Sequence, residues 1–464
     1  MNPSPYQTAI FEHIKTQEDN LVVSAMAGSG KTSTVVEALK VIPRNKNVLF
    51  VAFNKHIAEE LARRVPLNVE SSTLNAFGYR IMRNSNMNPK LNVNKVKNIV
   101  WYKIYQEDNF GEYIRLVGSV LKLVSLFKAL GITSPTEEDG RTIADRFGIP
   151  IIEEKAFVVA IQAMQESLRM TQVIDFDDQL LYPIHFQLNI PKYDYVFVDE
   201  AQDLNLIQIQ LVCKASRGMI VAVGDPNQAI YGFRGADPNA IQEITDCIHA
   251  ITLPLSICYR CAKSVVKEAQ QIVPTIEYSE TQQEGLVETI GVTKYREVVK
   301  EGDWVLCRTT APLVHEALLM LRNKRKAIVK GRQIGEALLS LAERVNDLDQ
   351  YEMEQTERLK NNETALIELQ DQLDTIRALI EAYGREGLKD GIEQLFGEET
   401  TGIMYCTIHR SKGLETNRVF LICPELLPHP KCTKDWQLQQ EKNLHYIAIT
   451  RAKVEFRYVE GKIK

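Results

Sequence analysis

The sequence predicts an α/β protein built from two parallel-sheet cores, each interrupted by a helical insertion. Three observations lead there. Short apolar runs alternate with helix-spaced stretches near the N-terminus and again in the second half of the chain, the rhythm of a parallel sheet with helices on both faces. From about residue 84 to 171 the strand-like runs fade and helical periodicity takes over. Between residues 335 and 400 an acidic segment carries apolar residues in an alternating three-four register. At 464 residues the chain is too long for one core, and its 45% hydrophobic and 25% charged composition is that of an ordinary soluble globular protein.

Taken in order, Asn20–Ala25, Thr32–Leu39, Asn47–Ala52 and Ile57–Val65 read as strand, helix, strand, helix. Ile114, Val117, Leu121, Val124 and Phe127 then recur at helical spacing. Strands resume at Tyr195–Val198 and Met219–Val223, and a second α/β region runs from about Thr252 to Arg332 and again from Gly402. Residues 1–84 and 172–246 are therefore expected to form the first core, with 85–171 as its helical insertion. Residues 247–334 and 401–464 form the second core, interrupted by 335–400. In that interruption Leu338, Leu341, Val345, Leu348, Leu359, Leu366, Leu369, Leu373, Ile376, Ile380 and Tyr383 share one register, which describes a coiled-coil seam. Asn361-Asn362 are poor helix residues, so the expectation is a hairpin of two antiparallel helices. One amphipathic face packed on the core is the alternative.

Fifty-five basic against sixty acidic residues give a net charge of -5, which alone argues against a polyanionic partner. The distribution reverses this. Residues 341–400 hold sixteen acidic and six basic side chains, leaving 49 basic and 44 acidic in the rest. The cores are mildly basic and can hold a phosphate backbone, whereas the insertion should repel one and suits a protein contact. No apolar run approaches the roughly 20 residues of a membrane span, and the polar N-terminus lacks a signal peptide, so a cytoplasmic protein with no membrane partner is expected. Eight scattered cysteines read as reduced thiols. Cys258 and Cys261 form a CxxC, but with no second ligand pair nearby they do not read as a zinc site.

The run Ser24-Ala25-Met26-Ala27-Gly28-Ser29-Gly30-Lys31-Thr32-Ser33 follows an apolar strand and opens a helical stretch, the context of a phosphate-binding loop. Gly28 and Gly30 let backbone N–H groups curl around phosphates, Lys31 neutralises them and Thr32 can hold Mg²⁺. Ala27, Ser29 and Ser33 complete the cradle. Tyr195–Val198 ends in Asp199-Glu200, an acidic pair at a strand end. Asp199 would hold Mg²⁺ through water, and Glu200 would orient and deprotonate an attacking water. In isolation the pair could be a solvated strand end; beside Lys31 and Thr32 it reads as the partner of an ATP site.

At Asp199-Glu200-Ala201-Gln202-Asp203 the chain resembles the superfamily 1A DNA helicases of the UvrD/Rep type, and the resemblance continues through further motifs in order. Gln7 sits where that family reads adenine. Phe53-Asn54-Lys55 and Thr73-Leu74-Asn75-Ala76-Phe77 resemble the two motifs after the phosphate loop, with Asn75 for the usual histidine, and Asp175-Phe176-Asp177-Asp178 resembles the one before the acidic strand. The run from Val223 to Ala236, containing Gln228, Phe233 and Arg234, is close to the family's third motif. Tyr259-Arg260 resembles the fourth, with Cys258 and Cys261 in place of Asn and Ser. Thr407 to Glu415 matches the fifth, and Glu441 through Tyr446 to Ala452 the sixth. The Asn-Lys and Asp-Pro-Asn-Gln variants lean towards the branch that includes the eukaryotic F-box DNA helicase.

The resemblance implies two RecA-like domains and an ATP-dependent 3′–5′ DNA helicase or translocase, acting on single strands and single–double-strand junctions in replication, repair or recombination. It implies ATP and Mg²⁺ as cofactors, a monomer, and a cytoplasmic or nucleoid-associated location. Tyr259 would stack on adenine while Gln7 bonds its edge. Gln228 would sense the γ-phosphate, Glu415 would bond the ribose and Gly413 belongs to the same nucleotide-binding turn. Arg260 and Arg451 would reach the γ-phosphate on closure of the two cores, making closure ATP-dependent. Phe53 and Phe233 are candidates for stacking on bases, or else core aromatics, with Thr73, Asn75, Arg234 and His409 on the DNA backbone. The short 335–400 insertion leaves an alternative: a translocase that strips proteins from single strands, or a nucleotide-controlled scaffold that recruits a replication or repair protein through the hairpin.

Overall fold

The computed structural model describes residues 3–52, 58–59, 65–105, 116–149, 151, 153–230, 240–359, 363–397 and 401–463. Two compact units divide it. The first comprises Met1–Ala25 and Gly30–Leu255, the second Met26–Ser29 and Ser256–Lys464. Among the described residues no helix is long and apolar enough to cross a membrane.

In the first unit, strands β1 (Leu21–Ala25), β2 (Val48–Ala52), β3 (Val69–Thr73), β6 (Tyr193–Val198), β7 (Ser216–Gly224) and β8 (Ile251–Leu255) form a parallel sheet in the order β3-β2-β6-β7-β1-β8. Alternation along the strands sorts side chains to two faces. Leu21, Val23, Phe50 and Phe197 meet helices α1 (Pro5–Thr16) and α2 (Lys31–Val41). Val22, Leu49, Val51 and Val196 meet the larger core on the other face. That core includes α3 (Leu74–Asn84) and four helices of the insertion: α4 (Lys95–Tyr105), α5 (Val117–Ala129), α6 (Glu137–Phe147) and α7 (Lys155–Arg169). The short strands β4 (Lys90–Leu91) and β5 (Val173–Ile174) pair at its base, followed by α8 (Phe176–His185).

A buried charge network ties the insertion to this core. Lys95 Nζ on α4 donates to Asp178 Oδ2, the Ser167 carbonyl and Tyr182 Oη, each at 2.7 Å. Lys128 Nζ on α5 donates to Asp175 Oδ2 at 2.6 Å and forms an ion pair with Asp178, its Nζ 2.7 Å from Oδ1. The Asp175-Phe176-Asp177-Asp178 run thus acts as an anchor: Asp175 also caps α8, accepting from the Asp178 N–H at 2.9 Å. Burial without partners would cost several kcal/mol per ion, so each charge here depends on the others.

The strand Ile251–Leu255 corrects the expected boundary at residue 247. It pairs in parallel with β1 along its whole length and closes the first sheet, with Pro254 tolerated because β8 is an edge strand. Helices α9 (Leu206–Ala215) and α10 (Ala240–Ile248) precede it in the chain and pack against β7. The expected helix over Ile57–Val65 lies largely outside the described residues.

The second unit holds another six-stranded parallel sheet, in the order β11-β16-β15-β12-β14-β13, from β11 (Leu286–Gly291), β12 (Trp304–Cys307), β13 (Ala327–Val329), β14 (Ile403–Thr407), β15 (Thr416–Ile422) and β16 (Ala452–Glu460). A two-stranded pair, β9 (Ile257–Cys258) and β10 (Glu277–Tyr278), stands beside helix α11 (Lys263–Ala269). Helices α12 (Val292–Val298), α13 (Ala311–Arg322), α18 (Ile408–Ser411) and α19 (Asp435–Thr450) complete the core.

Among the described residues, the 332–395 segment contains four helices: α14 (Arg332–Arg344), α15 (Leu348–Leu359), α16 (Glu363–Tyr383) and α17 (Leu388–Leu395). Although α15 and α16 pack together, the hairpin is not a free coiled coil. Leu338, Leu341, Leu369, Leu373 and Ile376 of the expected seam lie in one core with Leu313, Val314 and Ala317 of α13. The register that suggested a seam is a face packed on the sheet's own helix. Asp371 reinforces the joint by accepting from the Thr310 and Ala311 N–H groups at 2.7 Å, at the start of α13.

Candidate active site

Three neighbouring parallel strands, β6, β7 and β1, end at the same edge of the first sheet, where α/β folds place ligands. β1 runs into the phosphate loop, β6 into Asp199-Glu200 and β7 into Asp225. Gly30 caps α2 in the left-handed region, φ 79°, a conformation glycine adopts without penalty. Among the described residues, Ser29 Oγ is buried and has no hydrogen-bond partner, a polar group that an anion could satisfy. Ala27 is buried, Gly28 and Thr32 are half-buried and Ser33 is exposed.

The acidic pair is held under strain. Glu200 sits in the left-handed region at φ 52°, ψ 44°, uncommon for a residue with a side chain. Its N–H donates to Asp199 Oδ1 at 2.9 Å, and its Oε2 lies 3.7 Å from Lys31 Nζ. Burial, reinforced by the Glu200 charge and only partly offset by Lys31, pushes the Asp199 carboxyl up to about 7.

A hydrogen-bonded series leads onward. Gln202 Nε2 donates to Glu200 Oε2 at 2.5 Å, and Gln202 Oε1 accepts from the Asp225 N–H at 3.0 Å. Asp225 Oδ2 accepts from Gln228 Nε2 at 2.6 Å. Gly224 permits the approach, because a β-carbon there would lie 2.5 Å from Gln202 Oε1. Burial raises the pKa of Asp225. Sequence reasoning assigned roles to Glu200 and Gln228 but passed over Gln202 and Asp225, which link them. Both stand inside the quoted motifs, yet only the tertiary contact shows which atoms meet.

Gln7 is placed beside α2: its Nε2 donates to Thr34 Oγ1 at 2.9 Å, while its Oε1 accepts from the Ser4 N–H that it caps. Thr73 caps α3, and Asn75 Nδ2 donates to the Phe176 carbonyl at 2.7 Å. Thr73, Asn75, Lys122, Ser125 and Asp199 share a cavity of about 740 Å³ within the first unit. Asp177 also lines it; burial and the neighbouring Asp175 push its carboxyl up to about 6. Phe53, Phe233 and Arg234 lie outside the described residues.

In the second unit, Arg260 forms an ion pair with Glu415, which also accepts from Lys453 Nζ at 2.7 Å. Against the upward push of partial burial, the Lys453 hydrogen bond and the Arg260 charge hold the Glu415 carboxyl below its ordinary value. Arg451 is buried, donating to the Ile447 and Leu414 carbonyls at 3.1 and 2.9 Å and to Thr450 Oγ1 at 3.2 Å. Tyr259 is 48% exposed, and Gly413 adopts φ 81° in the turn before Glu415. His409 is half-buried; desolvation and the nearby Arg308 charge push its pKa down to about 3, so the ring is neutral. Arg308 itself was missed by the sequence reading: its Nε donates to both carboxylate oxygens of Glu441 at 2.8 and 3.0 Å. The signal was Arg308 at the end of a strand, with its partner 133 residues away.

Comparison with known families decides the assignment. A model described as the UvrD/REP helicase N-terminal domain matches residues 6–249, more than half of the chain. The chain belongs to the UvrD/REP helicase family. A second model, the UvrD-like helicase C-terminal domain, matches residues 313–457, so both units carry the UvrD signature. Among curated relatives of this UvrD-type chain, the F-box DNA helicase protein 1 of Schizosaccharomyces pombe is 29% identical over 48% of the chain. The ATP-dependent DNA helicases PcrA of Staphylococcus epidermidis and Staphylococcus aureus are 26% identical over 56% of it. These matches span 27% of the first relative's length and 39% of the other two.

Proposed function

We propose that this chain is an ATP-driven motor that moves 3′–5′ along single-stranded DNA and separates duplex at a junction, in replication, repair or recombination. The observation that carries the reading is the series Lys31, Glu200, Gln202, Asp225 and Gln228, which joins the residue suited to activate water to the one suited to sense the γ-phosphate. Lys31 would bind the β- and γ-phosphates and Glu200 would take the proton of the attacking water. Gln202 holds Glu200 in place, so loss or gain of a γ-phosphate at Gln228 can alter the base. Arg260 and Arg451 would add positive charge to the transferring phosphoryl group. Tyr259 and Gln7 would hold adenine, with Gly413 and Glu415 at the ribose.

Mg²⁺ suits the donors present. Asp199 is a carboxylate whose pKa burial raises first and the neighbouring Glu200 charge second, so a cation beside it would favour its charged form. Thr32 and Asp199 would hold the ion, which when bound would neutralise phosphate charge during transfer. Thr73 and Asn75, in the cavity with Lys122, would meet the DNA backbone together with Arg234 and a neutral His409 acting as a hydrogen-bonding group. Phe53 and Phe233 would stack on bases at roughly 1–3 kcal/mol each, without reading sequence. The chain would work as a monomer.

The test is the ATPase rate of the purified chain with single-stranded DNA, duplex DNA and RNA. Strong stimulation by single-stranded DNA is expected; a rate indifferent to it ends the motor reading. A second reading, a translocase that clears proteins from single strands, is favoured by one observation: the acidic 335–400 insertion spends its apolar face on α13. Its outer surface then remains for a replication or repair protein. Efficient unwinding of a forked duplex by the chain alone would exclude a translocase-only role.

A further inference from the structure

Helix α9 begins at the Asn205 cap just beyond Asp203, and α10 follows the segment that starts at Gln228. α10 packs against the Ala201–Asp203 turn, β7 and β1. Its Ile241 is close enough to Gly224 that a β-carbon there would lie 2.9 Å from Ile241 Cδ1, beside Gln202 Oε1. The helix therefore backs the Glu200–Gln202–Asp225 series.

Cys213 lies in the last turn of α9 and Cys247 in the last turn of α10, with their sulfurs 4.0 Å apart. A disulfide requires about 2.05 Å between sulfurs, a gap that side-chain rotation and a small helix adjustment can close. Cys247 is exposed and Cys213 half-buried, whereas Cys258, Cys261, Cys307, Cys406 and Cys423 are all buried. A dissolved oxidant thus meets Cys247 before any of those five.

We propose that Cys213 and Cys247 are a modification site: a reversible disulfide, made by thiol–disulfide exchange with a low-molecular-weight disulfide, that staples α9 to α10. In the first step the Cys247 thiolate attacks one sulfur of the small disulfide. A Cys247 mixed disulfide forms, and one small thiolate leaves and takes up a proton from water. In the second step Cys213 gives its proton to solvent and attacks Cys247 Sγ, releasing the second small thiol. Two protein thiols are oxidised and one small disulfide is reduced to two thiols. Burial and the neighbouring Cys247 push the Cys213 thiol up to about 12, which makes Cys247 the entering nucleophile and Cys213 the resolving one.

The experiment treats the full chain with oxidised glutathione, blocks free thiols and maps peptides without reduction. The expected product is the Cys213–Cys247 link, reversed by dithiothreitol. Cys213→Ser should trap glutathione on Cys247, and Cys247→Ser should leave Cys213 unmodified. Glutathione persisting on Cys247 of the unaltered chain, or Cys247 linked to another cysteine or a second copy, would overturn the proposal. The linked protein should melt about 5 °C above Cys213→Ser treated identically; equal midpoints would show that no staple forms. Because α10 backs Gln202, the link should also slow DNA-stimulated ATP hydrolysis several-fold. That last effect rests on the proposed motor function: a reduced chain without DNA stimulation would sink the motor reading while the mapped link still stood, whereas an unslowed linked chain would overturn the link's action on the site.

Discussion

The two units treat charge in contrasting ways. In the first, Asp199, Glu200 and Asp225 all feel the charge of Lys31, and burial drives Asp199 and Asp225 towards their neutral forms. In the second, Arg260 is matched by Glu415, Glu415 again by Lys453, and Arg451 by backbone carbonyls. Among these named groups the first site sets three carboxylates against one lysine, whereas in the second the named cations are already matched. On the proposed function, a cation with a polyphosphate would complete the first site, whereas a phosphate approaching Arg260 would compete with Glu415.

Removing the cation from the deficient side should have the largest effect. Lys31→Ala is expected to lower ATP turnover about 100-fold or more, the scale of losing a preorganised charge at a transferring group; near-normal turnover would place phosphate binding elsewhere. On the saturated side, Arg451→Ala should cut the maximal rate by a similar order while leaving nucleotide affinity nearly unchanged. A large loss of binding at normal maximal rate would show that Arg451 has a different role, and a melting curve checks that its buried hydrogen bonds were not the real casualty.

Acidification probes the deficiency itself. If Asp199 holds Mg²⁺ as proposed, a proton on it below pH 7 would compete with the ion, so Mg²⁺ affinity should fall by nearly tenfold per pH unit, and Asp199→Asn should abolish that dependence. The linkage has a definite sign. A carboxyl held near 7 when folded and about 3.9 when unfolded keeps a proton that the unfolded chain has lost, so stability of the Mg²⁺-free protein should fall as pH rises through that window. Gln202→Ala should lower turnover about tenfold, the worth of one buried hydrogen-bond bridge, with little change in nucleotide affinity. The smallest effect is expected at Glu415→Gln, which frees Arg260 while keeping a hydrogen-bonding group for the ribose and should change nucleotide affinity only about two- to threefold; a loss of tenfold or more would show that the Glu415 charge itself is needed.

Much of the fold was legible because parallel strands buried on both faces write continuous apolar runs, as at Leu21–Ala25 and Val48–Ala52. The phosphate loop was legible because its chemistry is contiguous. Edge strand β8 was not: Ile251–Leu255 contains a proline and is mostly exposed, so it carries no clear apolar pattern and only its pairing with β1 assigns it. The insertion misled for another reason. A three-four register reports that a helix has one apolar face, and it is silent on whether that face meets a sister helix or α13.

By itself the sequence determined two α/β cores, a phosphate loop, an acidic pair and the UvrD character of the chain, because each depends on residues adjacent in the sequence or on short periodicities. Only the tertiary structure decided that Gln202 bridges Glu200 to Asp225, that Arg308 pairs with Glu441, that Glu415 already holds Arg260, and that two cysteines on separate helices stand 4.0 Å apart. Each of those is a meeting of side chains from different elements. Spacing along the chain cannot encode such a meeting, because the packing of the elements sets which atoms come within a hydrogen bond of one another.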